Sequence, residues 1–430
     1  MIDFKRFTLD NGMRLLVHED QSTPLVAVNL LYQVGSRDEK ADKTGFAHLF
    51  EHLMFGGSAH VPDFDTPLQN AGGDSNAFTN SDITNYYDVI PSENLETVLW
   101  LESDRMQSLR INEKTLKVQK QVVIEEFKES HTNIPYGDAW HLLLDMCYRI
   151  HPYNWPTIGK RIEHISEASL EDVKAFFKKY YRPNNTILTL AGNISPEKAF
   201  SLVNKWFGDI PGGEPIIRDI PLEPAQAEVQ KLIVKRDVPS DAIYMAFPMA
   251  DRFHPDYYAA DLISDILANG PSCRLHQHLI KNQKIFSHVD AYVTGTIDPG
   301  LFMLEGKLNE SHNVEEGEEA LLRELELIRK GEFADAELVK VKNKMESSII
   351  FSETNILSIA MNMAFFEYLG DPDWINVETE FYNKVTRDDI IRVANDLFLE
   401  HRKNVLVYLR ADGEEPFVKE VHENAELDGR

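Results

Sequence analysis

At 430 residues the chain is about three times the ~150-residue size typical of one domain, so it holds one to three domains. Apolar residues make up 43% and charged residues 27%, which excludes a chain disordered throughout. Lys and Arg number 44 against 70 Asp and Glu, a formal charge of −26. So acidic a surface repels phosphate, which sets nucleic acid aside as a partner and leaves room for basic ones.

The two cysteines, Cys147 and Cys273, exclude a disulfide-built scaffold and a four-cysteine zinc site, and are expected as free buried thiols. No run approaches the ~18–20 apolar residues of a membrane span. The start, Met1 to Arg6, has no apolar core of a signal peptide. The location expected is cytoplasmic if Met1 is the native start, and periplasmic if a leader has been removed.

In chain order, Arg6 to His18 reads as a hairpin turning at Asp10-Asn11-Gly12, and Leu25 to Val34 as a more buried strand. Thr44 to Phe55 has helical spacing, with Thr44 as N-cap and Gly56-Gly57 as the stop. Asp74 to Phe78 and Thr84 to Ile90 are predicted strands. Helical patterns follow at about 92–109, 112–130 and 170–181, and the last leads into a strand at Thr186 to Ala191.

The second half repeats this order. Strands are predicted at Lys231 to Val234 and Ala242 to Phe247, a helix at Tyr257 to Leu267, and strands at Val289 to Thr294 and Leu301 to Leu308. Two long helical patterns, Val314 to Arg329 and Ala334 to Phe351, come next. Ser169-Leu170-Glu171-Asp172-Val173 is paralleled 217 residues later by Thr386-Arg387-Asp388-Asp389-Ile390, and each leads through a helix to an apolar strand. The reading is an α+β protein of two homologous domains, each a mostly antiparallel sheet packed with helices. Domains are placed at 1–214 and 229–430, with a linker at 215–228 overlapping the proline-rich join Pro211 to Pro224, which also holds Gly212 and Gly213. A short acidic tail ends the chain.

His48-Leu49-Phe50-Glu51-His52 carries the chemistry. Positions i and i+4 share a helix face, so two imidazoles one turn apart can hold one Zn²⁺. Glu51 lies on the same side and is free to act as general base. The order H-x-x-E-H is the inverzincin signature. The alternative is a helix with two surface histidines, but apolar flanks at Phe46, Leu49, Leu53, Met54 and Phe55 argue for a half-buried site. A third ligand is required. The helix after residue 117 offers Glu125, Glu126 and Glu129; neighbours differ by ~100° around a helix, so only one of Glu125 and Glu126 can face the metal, and periodicity does not choose. In the second copy Asp261, Ser264 and Asp265 stand where His48, Glu51 and His52 stand in the first, so the scaffold is duplicated without the metal site.

These residues, with Leu9-Asp10-Asn11-Gly12, Val34-Gly35-Ser36-Arg37, Asn76-Ala77-Phe78-Thr79, Val122-Val123-Ile124-Glu125-Glu126, Ala191-Gly192-Asn193 and Phe207 to Pro211, resemble the pitrilysin/insulinase metallopeptidases along essentially the whole chain. The similarity points to the single-subunit branch that includes the processing-peptidase β-subunits and their bacterial relatives. It implies a processing-peptidase-like fold, Zn²⁺ as cofactor, His48, His52 and Glu126 as ligands, and Glu51 as catalytic base. It also implies that a substrate peptide adds as a strand along Asn76, Ala77 and Phe78. Two departures follow. Gln119 stands where the family often has a Glu that supports the ligands, and is expected to orient a His ring by hydrogen bond. The family's oxyanion-binding Arg and Tyr fall, counted from Arg274-Leu275-His276-Gln277, at Ile280 and Ser287; Lys281 and Tyr292 are near but displaced.

The expected function is a zinc endopeptidase for peptides or unfolded segments, as catalytic subunit of a heterodimer whose homologous partner supplies the Arg and Tyr; a homodimer is the other arrangement. The rival readings are a non-catalytic peptide-binding or scaffold subunit, and a zinc hydrolase of another kind.

Overall fold

The computed structural model describes residues 1–412 and 417–421; the acidic tail lies outside the described residues. The first copy runs β1 (Lys5–Thr8), β2 (Arg14–Glu19), β3 (Leu25–Tyr32), α1 (Phe46–Met54), α2 (Asp65–Asn70), β4 (Asp74–Thr79) and β5 (Thr84–Pro91). It continues with α3 (Leu95–Ser108), α4 (Glu113–Phe127), α5 (Ala139–Cys147), α6 (Ile162–Ser166), α7 (Leu170–Tyr180), β6 (Thr186–Gly192) and α8 (Pro196–Phe207). The second runs β7 (Gln230–Arg236), β8 (Ala242–Pro248), α9 (Asp256–Ala268), β9 (Phe286–Val293), β10 (Leu301–Leu308), α10 (Val314–Arg329) and α11 (Asp335–Ser352). It closes with α12 (Ile356–Leu369), α13 (Glu378–Lys384), α14 (Arg387–Leu397), β11 (Asn404–Arg410) and β12 (Phe417–Val421). No single helix among the described residues is long and apolar enough to cross a membrane.

The fold is α+β, with two six-stranded sheets of matching order, β1-β2-β6-β3-β5-β4 and β12-β7-β11-β8-β10-β9. Each is antiparallel except for one central pair, β2 with β6 and β7 with β11. The outermost strand is supplied differently: β1 comes from the start of the chain and β12 from its end. At the opposite edge β4 and β9 occupy the same place, and each pairs on one side only.

The chain divides into two compact units that exchange segments. Unit 1 comprises residues 1–128, 151–221 and 348–378; unit 2 comprises 129–150, 222–347 and 379–430. Helix α12, from the second copy, therefore lies on β3 and β6 in unit 1, while α5, from the first copy, lies on β8 and β11 in unit 2. Helix α12 is apolar nearly all round, as a core helix must be. It is tied to the sheet by the Thr189 hydroxyl, which donates to the Ala360 carbonyl at 2.9 Å.

Glu367, fully buried on α12, receives Arg6 from β1 at 2.6 Å and Arg14 from β2 at 3.1 Å. Replacing it leaves two guanidinium groups without their anion. A wholly buried pair would lose about 3–5 kcal/mol on removal of one partner. Arg6 and Arg14 reach solvent, with side-chain exposures of 51% and 24%, so the loss should be smaller. Glu367→Ala is expected to lower unfolding free energy by about 2 kcal/mol in urea titration, against no more than ~0.5 kcal/mol for a neutral surface change.

Candidate metal centre

Helix α1 turns Phe46, Leu49, Phe50, Leu53 and Met54 into the core of unit 1 and leaves His48, Glu51 and His52 on the opposite face. Its start is not capped by Thr44, as the sequence suggested. The cap position is Gly45, with φ of 85° in the left-handed region. A Cβ there would come within 2.7 Å of the Ile158 carbonyl oxygen. The Thr44 hydroxyl is instead bound to His164 Nδ1 at 2.8 Å and accepts from the Lys160 N–H at 2.7 Å. The donors at the helix start are met by Glu39, whose carboxylate oxygens accept from Gly45 N and Ala47 N at 2.8 Å each, and from Trp155 Nε1 at 3.1 Å. Burial pushes the Glu39 carboxyl up to about 8, against the three N–H donors that favour its anion. The middle of α1 is held by Tyr86 of β5, whose hydroxyl donates to the Phe50 carbonyl at 3.2 Å.

Helix α4 packs across α1. Its N-cap Asn112 accepts from Lys114 N and Thr115 N, both at 3.0 Å, which fixes where the helix begins and hence which face meets α1. That register brings Glu126 to the imidazoles and turns Glu125 to the surface, where it pairs with Lys128 at 2.8 Å. The Nε2 atoms of His48 and His52 are 3.3 Å apart, with the rings nearly perpendicular at 88°. Glu126 presents Oε1 at 3.5 Å from His48 Nε2 and Oε2 at 3.2 Å from His52 Nε2.

These spacings test the fit of a metal. Ligand atoms bound at ~2.0–2.1 Å in a tetrahedron are roughly 3.3–3.4 Å apart. The His48–His52 spacing matches one such edge, and each imidazole nitrogen has a Glu126 oxygen, a different one for each, at a similar distance, so a zinc ion fits between the two nitrogens and the carboxylate. Among the described residues this is the one cluster of three or more His, Cys, Asp or Glu side chains close enough to share an ion. Burial, aided by His52, holds the His48 imidazole below its ordinary pKa against the pull of Glu126 and Glu51, and so favours the neutral ring that ligates metal.

Glu51 lies beside the cluster but is not part of it. Its Oε2 accepts from the Thr79 hydroxyl at 2.6 Å, and its other oxygen has no partner among the described residues. Thr79 ends β4, an edge strand on which Asp74, Asn76 and Phe78 are exposed and Ser75, Ala77 and Thr79 half-buried. Thr79 thus joins the strand to the base. The sequence offered it only inside a motif; with Ala77 on the inner face, strand alternation was the available signal. Asn76 Oδ1 accepts from the Ala77 N–H at 2.8 Å, so its side chain lies along the strand backbone. Gln119 is half-buried on α4 and makes no hydrogen bond to either imidazole among the described residues; His48 Nδ1 is buried without a partner among them. The orienting contact expected of Gln119 is therefore not made directly.

Unit 2 shows the duplicated scaffold with other chemistry. Asp261 receives the Tyr382 hydroxyl at 2.6 Å, and Asp265 receives Asn269 Nδ2 at 2.5 Å. Burial raises both carboxyls, Asp265 to about 6. Cys147 and Cys273 are buried free thiols.

Two family models cover most of the chain. Residues 14–160 match insulinase (peptidase family M16), and residues 167–345 match the peptidase M16 inactive domain. The chain belongs to the M16 peptidase family. Within it, the chain is similar to "Zinc protease PqqE" of Helicobacter pylori, 29% identical over 409 residues covering 94% of this chain and 92% of that one. It is also similar to the mitochondrial-processing peptidase subunit beta of Saccharomyces cerevisiae, 24% identical over 406 residues, 90% and 87% of the two chains. The crystal structure of a protease from Helicobacter pylori superposes with a TM-score of 0.90 at 28% identity, covering 95% of this chain and 100% of that one. The "inactive domain" match falls on the stretch that holds Asp261 and Asp265, whereas the insulinase match holds His48, Glu51, His52 and Glu126.

Proposed function

We propose that this M16 chain is a zinc-dependent endopeptidase for peptides or unfolded segments, working as the metal-bearing subunit of a two-subunit enzyme. The observation that carries the reading is the convergence of His48 Nε2, His52 Nε2 and the Glu126 carboxylate within reach of one ion, with Glu51 beside the two histidines on α1.

His48 and His52 would hold the ion through Nε2, and Glu126 through its carboxylate. When bound, zinc polarises the scissile carbonyl and makes water a better nucleophile at neutral pH. Glu51 takes a proton from the attacking water and passes it to the leaving amine. Thr79 fixes one Glu51 oxygen, which leaves the other to work with. A peptide adds along the free edge of β4, main chain to main chain, at Asn76, Ala77 and Phe78. Asn76 must first release the Ala77 N–H that its side chain covers. Because Thr79 belongs to the same strand, seating a peptide there also sets the base.

A second reading, a non-catalytic peptide-binding subunit, is favoured by one feature: at the family's Arg and Tyr positions Ile280 has no donor and Ser287 gives its hydroxyl to the Lys307 carbonyl. Metal content separates the two. The purified chain is expected to hold about one Zn²⁺, since three protein ligands plus a solvent position make a catalytic site. Elemental analysis of the His48→Ala/His52→Ala variant should find none; zinc kept in full by that variant would place the metal elsewhere.

A further inference from the structure

Unit 1 has a second recess that the peptidase reading does not use. A cavity of about 220 Å³ lies between the loop 38–43, the start of α1 and helix α7. Phe46, Phe176 and Tyr180 form its apolar wall, with ring centroids 5.9 Å apart for the first pair and 4.7 Å for the second. Lys40, Lys43 and Lys179 stand around it. The acids on its rim are already engaged: Asp172 holds Lys43, and Asp38 receives Arg218 at 2.7 Å. Glu39 turns its carboxyl inward to the start of α1 and to Trp155.

Lys40 and Lys179 have no carboxylate partner among the described residues. Lys179 Nζ reaches only a neutral group, the Tyr180 hydroxyl, at 2.7 Å. Partial burial, with Arg218, Lys40 and Arg182 nearby, depresses its pKa against the pull of Asp38. A chain of net charge −26 thus keeps two ammonium groups outside any salt bridge among the described residues, beside an aromatic wall.

The second copy shows that the scaffold does not demand this lining. Unit 2 has a recess of about 350 Å³ between the start of α9 and α14, where Val393, Asp396 and Leu397 stand 217 residues after Phe176, Lys179 and Tyr180. The hollow is duplicated; the charge at the lysine position is reversed and the aromatic wall is gone.

We propose that the unit 1 recess binds an amphipathic carboxylate, its apolar body against Phe46 and Phe176 and its carboxylate against Lys40 and Lys179. At about 220 Å³ the cavity is below the ~300–1,000 Å³ of drug-sized sites, so the body is one ring or one branched side chain. A free organic acid and the C-terminal residue of a peptide share that chemistry.

Calorimetry of the full chain tests this with 4-phenylbutyrate and its amide, and with Ala-Ala-Leu as free acid and as amide. The acids are expected to bind, the amides at least ~10-fold more weakly, because the charge-assisted contact is lost. Binding of the tripeptide acid alone assigns the peptide source; binding of 4-phenylbutyrate alone assigns the free acid. Lys40→Gln/Lys179→Gln should weaken the bound acid at least ~10-fold with the melting temperature unchanged, as for surface substitutions. Binding should persist after zinc is stripped by a chelator and in His48→Ala/His52→Ala. The proposal is overturned if neither acid binds at millimolar concentration, if amides bind as well as acids, if the lysine variant binds unchanged, or if zinc removal abolishes binding. The readout is binding, so it stands or falls separately from peptidase activity.

Discussion

Glu51→Gln is expected to keep its zinc and lose at least ~10²-fold in peptide turnover, the usual weight of a positioned general base. The geometry separates this residue from the ligands. Glu51 is anchored to Thr79 rather than to the imidazoles, so an isosteric amide can keep the Thr79 contact and leave the three metal-binding atoms in place. Glu126→Gln should do the reverse and weaken zinc binding, because it removes the anion facing both Nε2 atoms. Glu125→Gln should leave zinc unchanged, since that side chain is on the surface with Lys128. Zinc content and turnover of a quenched peptide, measured on all three variants, check the assignment. Loss of zinc in Glu125→Gln but not in Glu126→Gln would shift the third ligand by one residue.

Thr79→Val extends the same argument. It removes only the hydroxyl that fixes the Glu51 carboxylate, so its rate should fall with zinc retained, by less than in Glu51→Gln.

The metal helix was legible in the sequence because its information is local. His48, Glu51 and His52 share a face by spacing alone, and the duplicated scaffold supplied an internal comparison at Asp261 and Asp265. The order of the strands was legible for the same reason, since apolar alternation and turn residues are read within a few positions. The unread features depend on distant partners. Glu125 and Glu126 are equally placed until the α4 register against α1 is known. The cap of α1 was misread because Thr44 has the chemistry of a local cap, while the group that serves, Glu39, comes from an earlier loop and leaves Thr44 to His164. Helix α12 is apolar nearly all round, so it shows no amphipathic period to predict it or to say which sheet buries it; it lies on β3 and β6, and its polar ties, Thr189 on β6 and the Arg6 and Arg14 that meet Glu367, come from far along the chain. The outer strand β12 shows the same limit, because pairing with β7 leaves no mark in a short strand's own residues; β1, by contrast, pairs with β2 as the Arg6 to His18 hairpin predicts.

Purified alone, the chain is expected to turn over peptides at a small fraction of the rate it reaches with a homologous partner. Ile280 is half-buried and apolar, and Ser287 is exposed with its hydroxyl given to the Lys307 carbonyl at 3.1 Å. Neither can meet the negative charge that develops on the substrate carbonyl oxygen. Loss of one such donor costs roughly 10²–10³-fold in rate, so two missing donors would leave a metal centre and base with little turnover. The displaced candidates are Lys281, which is exposed, and Tyr292 on β9, which is half-buried and whose pKa is pushed well up by burial, with Glu305 and Asp290 adding to it. Each can donate a hydrogen bond, Lys281 from its ammonium and Tyr292 from its hydroxyl, so both stand as substitutes. The deciding assay compares the chain purified free of homologues with the same chain mixed with a similar-sized M16 protein that has the Arg and Tyr but no H-x-x-E-H. A rise in turnover on mixing that Glu51→Gln abolishes supports the two-subunit enzyme. Full turnover by the lone chain, lost in Glu51→Gln and also in Tyr292→Phe, would show that Tyr292 fills the role and that no partner is needed. Lone-chain turnover that survives both Tyr292→Phe and Lys281→Gln would mean that the oxyanion is met by a group on unit 1, with the backbone N–H groups of the β4 edge as the first place to look.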